Sequence, residues 1–143
     1  MTRLFLLFLI TFNAYAMDVI PLTFSHDNAA MRLNLSSPIG VPVKSKATVG
    51  KVIRKELKTD LINIAIFVIG VDDTSLKWLA MNQERLKEMQ AIGFVTNVNN
   101  LEKIIALQEK YQLPLLPVNV DPLLSYIQVQ HYPLIIAEGA VWQ

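Results

Sequence analysis

The amino-acid sequence predicts an α/β fold, because strand-forming segments alternate with segments of helical periodicity. From residue 61 onward, short runs of β-branched and aromatic residues are separated by longer stretches whose apolar residues recur at helical spacing. Such alternation is typical of a sheet covered by helices. Near the end of the sequence, Gly139 separates two short apolar segments, which indicates an antiparallel hairpin.

The first half of the predicted domain is a βαβ unit over residues 62–98. Ile62–Ile69 is almost continuously apolar, which predicts a strand buried on both faces. A helix over Ser75–Gln90 and a second strand over Ile92–Val98 follow. We expect the two strands to be parallel, with a right-handed crossover between them. The candidate N-cap residues of the helix are Asp72, Asp73 and Thr74.

The second half continues with two helices and the terminal hairpin. Asn99 or Asn100 caps the next helix, and Asp121 followed by Pro122 fits the N-cap and first position of a short helix. The remaining elements are a helix, an extended segment, a short helix and two strands, over Leu101–Tyr111, Leu113–Val118, Pro122–Gln128, Pro133–Ala137 and Ala140–Gln143.

Residues 17–60 are predicted to be an N-terminal extension that contains a basic loop. No sustained period is visible over Ser36–Gly50, which indicates a loop or short extended pieces. Residues 44–58 carry much of the positive charge, with Lys44, Lys46, Lys51, Arg54, Lys55 and Lys58 opposed only by Glu56. Such a cluster is either a solvated face or a docking surface for an acidic partner or anionic lipid headgroups. Lys51, Arg54 and Lys55 are therefore candidate partner-binding residues.

Residues 1–16 have the order of a secretory signal peptide. Arg3 precedes the apolar run Leu4–Phe12, and Ala14–Ala16 supplies small residues for cleavage. A membrane-spanning helix is the alternative, although the polar residues that follow the run oppose it. We expect cleavage after Ala16 and a mature chain that begins at Met17 in an export compartment.

Composition argues against most catalytic and nucleic-acid-binding classes. The 143 residues include 13 Lys plus Arg and 12 Asp plus Glu, for a net charge of +1. The absence of cysteine excludes disulfides, CxxC redox chemistry and thiolate metal sites, and His26 and His131 are the only histidines. P-loop, GxSxG and GxGxxG motifs are also absent. We therefore expect a protein that is not an enzyme and has no cofactor, metal or small-molecule substrate.

The start of the first predicted helix supplies further candidates for partner binding. Asp72 and Asp73 could bind a hard cation, but a calcium site needs about six to eight oxygen ligands and no third acid is near, so helix capping is favoured. Trp78 lies beside the apolar stripe and is either a core residue or an aromatic anchor for a partner. An enzyme that uses Asp72, Asp73 and His131 with a metal is the remaining alternative.

The closing segment, Ile127–Val141, resembles the second half of a thioredoxin-like domain. In that fold a short helix precedes a cis-proline, a strand and a glycine-turned hairpin. The resemblance implies a cis Tyr132–Pro133 bond and an edge at His131, Tyr132 and Pro133 that binds extended peptides. The loop that carries CxxC in thioredoxins would be Asp72–Ser75, which has no thiol, and we expect the terminal helix of thioredoxins to be missing. We therefore expect residues 61–143 to form a thioredoxin-like domain without the redox chemistry.

A second resemblance covers Pro38–Gln143 and is carried by four motifs that keep their order. They are Gly70-x-Asp72-Asp73-x-Ser75-x-x-Trp78-Leu79, Ile92-Gly93-Phe94-Val95-x-Asn97-Val98, Leu116-Pro117-Val118-x-x-Asp121-x-Leu123 and His131-Tyr132-Pro133-Leu134-Ile135-Ile136. These motifs resemble the integrating conjugative element protein family of conjugation-type type IV secretion clusters. The sequence is also similar in outline to the F-type conjugative pilus assembly protein TrbC.

The resemblance implies a non-enzymatic periplasmic protein of a conjugative type IV secretion system. We expect it to be a component or assembly factor that binds other conjugation or secretion proteins of the cell envelope, with contact to the membrane surface as a further prospect. The alternative is a thiol-free, chaperone-like protein that acts on pilus or secretion subunits.

Overall fold

The structure, a computed structural model, describes residues 40–58 and 62–143. The predicted signal peptide, residues 1–16, and the part of the extension before Gly40 lie outside the described residues. None of the helices in the described part combines the length and the apolar composition that crossing a bilayer requires.

The described residues form a mixed α/β fold with eight short strands and three helices. The strands are β1 (Thr48–Val49), β2 (Lys55–Glu56), β3 (Ile66–Ile69), β4 (Ile92–Val95), β5 (Leu115–Pro117), β6 (His131–Tyr132), β7 (Leu134–Ala137) and β8 (Ala140–Trp142). The helices are α1 (Asp73–Glu88), α2 (Leu101–Tyr111) and α3 (Asp121–Ile127).

Six of the strands form one mixed sheet in the order β2-β8-β7-β3-β4-β5. β3 is parallel to β4 across α1, and β4 is parallel to β5 across α2. β7 runs antiparallel to both β3 and β8. The predicted parallel βαβ pairing and the antiparallel terminal hairpin are therefore confirmed. β1 and β6 form a separate parallel pair.

Central strands of the sheet are buried on both faces, and each face carries its own core. In β3, Phe67 and Ile69 pack on the side of α1 and α2, whereas Ile66 and Val68 pack on the side of α3. All four side chains are at most 3% exposed. This alternation explains why the strand is apolar without interruption, since each successive residue enters one of two cores.

The first central strand is shorter than the sequence predicts. β3 begins at Ile66 rather than at Ile62, because Ile66 is the first residue paired on both sides, with Ile92 in β4 and Ile136 in β7. Ile64 is 53% exposed and lies before this paired region. A continuous apolar run therefore overestimates the strand where the neighbouring strands have not yet begun.

The second central strand also ends early, at Val95 rather than at Val98. Asn97 has a positive φ of 52°, which turns the chain out of the strand. Asparagine tolerates this left-handed conformation better than most residues do. Val98 then forms an isolated bridge with Val43 instead of continuing β4.

Part of the predicted N-terminal extension packs against the sheet. Val43 and Val98 exchange two backbone hydrogen bonds of 2.8 and 3.0 Å. Ala47 and Val52 are 8% and 7% exposed and lie in the core on the α3 side. β2 pairs antiparallel with β8. The described part of the extension therefore belongs to the same folded body as the predicted domain.

Candidate functional site

The loop before α1 is organised by a helix cap. Asp72 is the N-cap residue, and its carboxylate accepts hydrogen bonds from the Ser75 backbone N–H and the Ser75 hydroxyl, both at 2.8 Å. The Gly70 N–H donates to the same hydroxyl oxygen at 3.0 Å. Asp73 is exposed in the first turn. The carboxylate of Asp72 is thus used for capping, which is the interpretation that the sequence favours.

Among the described residues, no group of three or more His, Asp or Glu side chains is arranged to hold a metal ion.

Tyr132 lies inside the molecule rather than on its surface. The side chain is 4% exposed, and its hydroxyl accepts a hydrogen bond from Asn97 Nδ2 at 3.0 Å. The Tyr132–Pro133 bond is cis, as the sequence predicts. We therefore assign Tyr132 to the support of the neighbouring surface, and not to direct contact with a partner in this conformation.

The edge at His131 and Tyr132 is occupied by the chain's own β1. Thr48 N–H donates to Gln130 O at 3.2 Å, and Gly50 N–H donates to Tyr132 O at 3.1 Å. His131 Nδ1 lies 3.0 Å from the Thr48 hydroxyl oxygen. The expectation that a partner's extended segment crosses this edge does not fit the structure, because β1 already makes the backbone hydrogen bonds that such a segment would need.

Side-chain hydrogen bonds anchor the segment that leads into β1. Ser45 Oγ contacts the hydroxyl of the buried Thr96 and accepts a hydrogen bond from Val120 N–H at 3.0 Å. The amide of Asn97 accepts from Ser45 N–H at 2.9 Å and donates to Ala47 O at 3.2 Å. These contacts fix β1 against the ends of β4 and β5. Because β1 is held there, it continues to cover the edge of β6.

A groove lies between β1 and α1, and we call it the β1–α1 groove. Its volume is about 620 Å³. The lining residues are Val49, Gly50, Lys51, Thr74, Lys77, Trp78, Met81, Asn82, Pro133 and Gln143. Lys51 and Lys77 are the only charged side chains in this lining. The groove therefore offers a largely apolar surface with positive charge and without an Asp or Glu side chain in its lining.

Three of the residues predicted for partner binding meet in this groove, namely Lys51, Trp78 and Pro133. Trp78 is half-buried, and its ring centroid lies 6.4 Å from that of the buried Phe67. Its indole N–H is buried and has no hydrogen-bond partner among the described residues. Trp78 thus packs against the core and also lines the groove, and its role as an anchor for a partner stays a prediction.

The other two basic candidates make contacts within the chain. The Arg54 guanidinium lies 5.3 Å from the centre of the Trp142 ring, as does that of Arg85 in α1. Lys55 Nζ donates to Gln128 O, at the end of α3, at 3.4 Å. The basic cluster is therefore divided, since Lys51 faces the groove while Arg54 and Lys55 hold neighbouring elements.

Sequence reasoning missed several groove residues, among them Met81, which is 84% exposed. Lys77 and Met81 are four residues apart on α1 and flank Trp78, so their shared face could have been found from helical spacing. Val49 and Gln143 could not be found in this way, because the residues of α1 on the other side of the groove are distant from them in sequence.

Comparison with known protein families matches residues 16–141 to the family described as Protein of unknown function (DUF2859). Because the match covers most of the sequence, the chain belongs to this family. A search of curated proteins and a search of solved structures each found no match.

Proposed function

We propose that this protein is an exported, non-enzymatic component or assembly factor of the conjugative type IV secretion system of an integrating conjugative element. It acts by holding a segment of another envelope protein in the β1–α1 groove. The observation that carries the binding role is the convergence of Lys51, Trp78 and Pro133, three residues distant in sequence, in one groove. The secretion system rests on the resemblance of the four motifs, and the export on the order of residues 1–16.

The groove is suited to binding a protein segment. Its apolar members include Met81, which is 84% exposed, and Val49, which is 39% exposed. Exposed apolar residues gathered in a concave surface with a polar rim are a common feature of interaction sites. A flexible methionine beside an aromatic ring also adapts well to the side chains of a partner.

We infer that the core of the domain is thioredoxin-like. The order β8-β7-β3-β4, the parallel β3–β4 pair joined by α1, and the antiparallel β7–β8 hairpin that follows α3 support this inference. The β1–α1 groove then lies beside Asp72–Ser75, at the loop that carries the redox motif in thioredoxins.

DNA transfer between cells tests the proposal. We expect deletion of the gene in donor cells to abolish transfer of the element, and the wild-type gene to restore it. Met81→Glu should fail to restore transfer, because it places a negative charge on an exposed apolar wall of the groove without disturbing the core. Ile105→Glu is the matched control, since Ile105 is 44% exposed on α2, outside the groove. Transfer that is unaffected by the deletion would overturn the proposal.

A chaperone-like role for pilus or secretion subunits is the second candidate, favoured by the adaptable apolar surface around Met81. Stoichiometry separates the two. A component remains in the purified secretion complex, whereas a chaperone is found only with free subunits.

A further inference from the structure

We propose that the β1–α1 groove binds its partner by strand addition along the outer edge of residues 49–51, and that the partner segment carries apolar and acidic side chains on the face that it turns toward α1. This inference rests on the proposed use of the groove for protein binding. It goes further by naming the backbone groups that the partner meets and the chemistry of the partner segment.

The first observation is a free backbone edge. Thr48 and Gly50 both direct their N–H groups to β6. Because successive residues of a strand alternate, the N–H and C=O of Val49 point to the opposite side. In the described part of the chain, neither group has a hydrogen-bond partner, and the same holds for the backbone of Lys51. An edge with unpaired backbone groups is a template for another strand.

The second observation is an alternation of exposed and inward-facing residues along this edge. Val49 is 39% exposed, Lys51 is exposed and Ile53 is 78% exposed. Between them, Gly50 is half-buried and Val52 is 7% exposed. This segment therefore has the side-chain pattern of an extended edge strand with an apolar outer face. Edge strands of this kind bind extended peptides through main-chain hydrogen bonds, with specificity supplied by alternate side chains.

The third observation sets the chemistry of the partner. On the far side of the groove α1 presents Lys77, Trp78 and Met81, and the edge itself presents Lys51. A strand laid beside residues 49–51 would direct alternate side chains toward Trp78 and Met81. The two lysines, with no Asp or Glu side chain in the lining, favour glutamate or aspartate on the same face of the partner strand as its apolar residues, because the residues between them point away from α1. Lys51 also disfavours pairing of this edge with a second copy of itself, since like charges would meet.

The test uses protein purified from cells that express the full chain, and a synthetic peptide that repeats valine-threonine-glutamate-threonine as the probe, so that valine and glutamate lie on one face of the strand. Fluorescence anisotropy measures its affinity. The same peptide with lysine in place of glutamate should bind about tenfold or more weakly, because it reverses every charge. The probe with the amides of both edges N-methylated should lose affinity by a similar factor, because it cannot donate to Val49 C=O in either strand direction.

Variants of the protein test the same contacts, with the peptide left unchanged. Val49→Pro removes an N–H that has no partner within the described chain, and we expect about tenfold weaker binding. Val49→Ala keeps the N–H and should change affinity by less than about threefold. Lys51→Glu with Lys77→Glu should also weaken binding, while Lys103→Glu, an exposed change on α2 outside the groove, should not. If Val49→Pro fails to fold, the N-methylated peptide still decides the question.

Amide hydrogen exchange identifies where the probe lies. The N–H of Val49 should become protected in the complex, together with that of Lys51. Protection confined to α1, or equal binding of the N-methylated peptide, would overturn strand addition while leaving the proposed function standing if Met81→Glu still blocks DNA transfer. Absence of probe binding at about 1 mM would also overturn it. So would a dimer that Val49→Pro dissociates, because the edge would then pair with a second copy.

Discussion

Gly70 lies where two side chains leave no space for a third. A Cβ atom at this position would be 2.6 Å from Asp72 Oδ2 and 2.8 Å from Tyr132 Cε2. We expect Gly70→Ala to lower the free energy of unfolding by about 1–3 kcal/mol, because either the cap of α1 or the buried tyrosine must shift. Denaturant unfolding measures the change. An unaltered midpoint would show that the close approach is relieved without cost.

Ser45 joins the segment before β1 to two buried groups. Replacing it by alanine leaves the hydroxyl of Thr96 and the N–H of Val120 without this partner, and both residues are 0% exposed. We expect Ser45→Ala to lower the free energy of unfolding by about 1–3 kcal/mol, the usual cost of an unsatisfied buried polar group. Ser125→Ala, at an exposed position of α3, is the control and should have little effect on stability. Equal stability of the two variants would contradict the proposed anchoring.

Charge reversals in the basic cluster distinguish the residue that faces the groove from the residue that stabilises the fold. Lys51→Glu should change the free energy of unfolding by no more than about 0.5 kcal/mol, since the side chain is exposed. Arg54→Glu should cost about 0.5–1 kcal/mol, because it removes the guanidinium from the Trp142 ring. Thermal unfolding of the two variants, measured side by side, gives the comparison. If Lys51→Glu is the more destabilising, Lys51 belongs to the fold rather than to the groove.

At the scale of elements, the turn of the terminal hairpin has a residue that is not the preferred one for its backbone conformation. Glu138 and Gly139 both have positive φ, 50° and 71°. Two-residue hairpin loops of this kind prefer asparagine followed by glycine. We expect Glu138→Asn to raise the unfolding temperature slightly, by the equivalent of about 0.5 kcal/mol, and Glu138→Val to lower it. Calorimetry of the two variants measures both shifts, and a stabilising valine would contradict the turn assignment.

The elements that could be predicted from sequence are those whose signals are local. The cap of α1 follows from Asp72 and Ser75, three residues apart, and the hairpin follows from Gly139. The pairing of β1 with β6 could not be predicted, because Thr48 and His131 are 83 residues apart and both strands have only two residues. Since the groove is formed on one side by β1, its shape could not be predicted either.

At the scale of the whole molecule, residues before position 61 cover parts of the two hydrophobic cores that the later helices and strands do not cover. Ala47 and Val52 cover the core on the α3 side, and Val43 lies in the core on the α1 side. Through β2, the same segment pairs with one edge of the β7–β8 hairpin. The alternation of strands and helices in the sequence predicts the sheet. It does not predict that the earlier segment packs on the two cores, because residues 36–50 show no helical or strand periodicity of apolar residues.

This arrangement predicts that residues 62–143 do not fold alone. Burial of a valine side chain contributes about 1.5–3 kcal/mol, and a domain has only about 5–15 kcal/mol of net stability. Losing Val43 and Val52, both buried, together with the Ser45 hydrogen bonds removes much of that margin. We expect a fragment of residues 62–143 to lack cooperative thermal unfolding, whereas residues 40–143 retain it, as followed by circular dichroism. Equal unfolding temperatures for the two fragments would show that the earlier segment lies on a domain that is already complete.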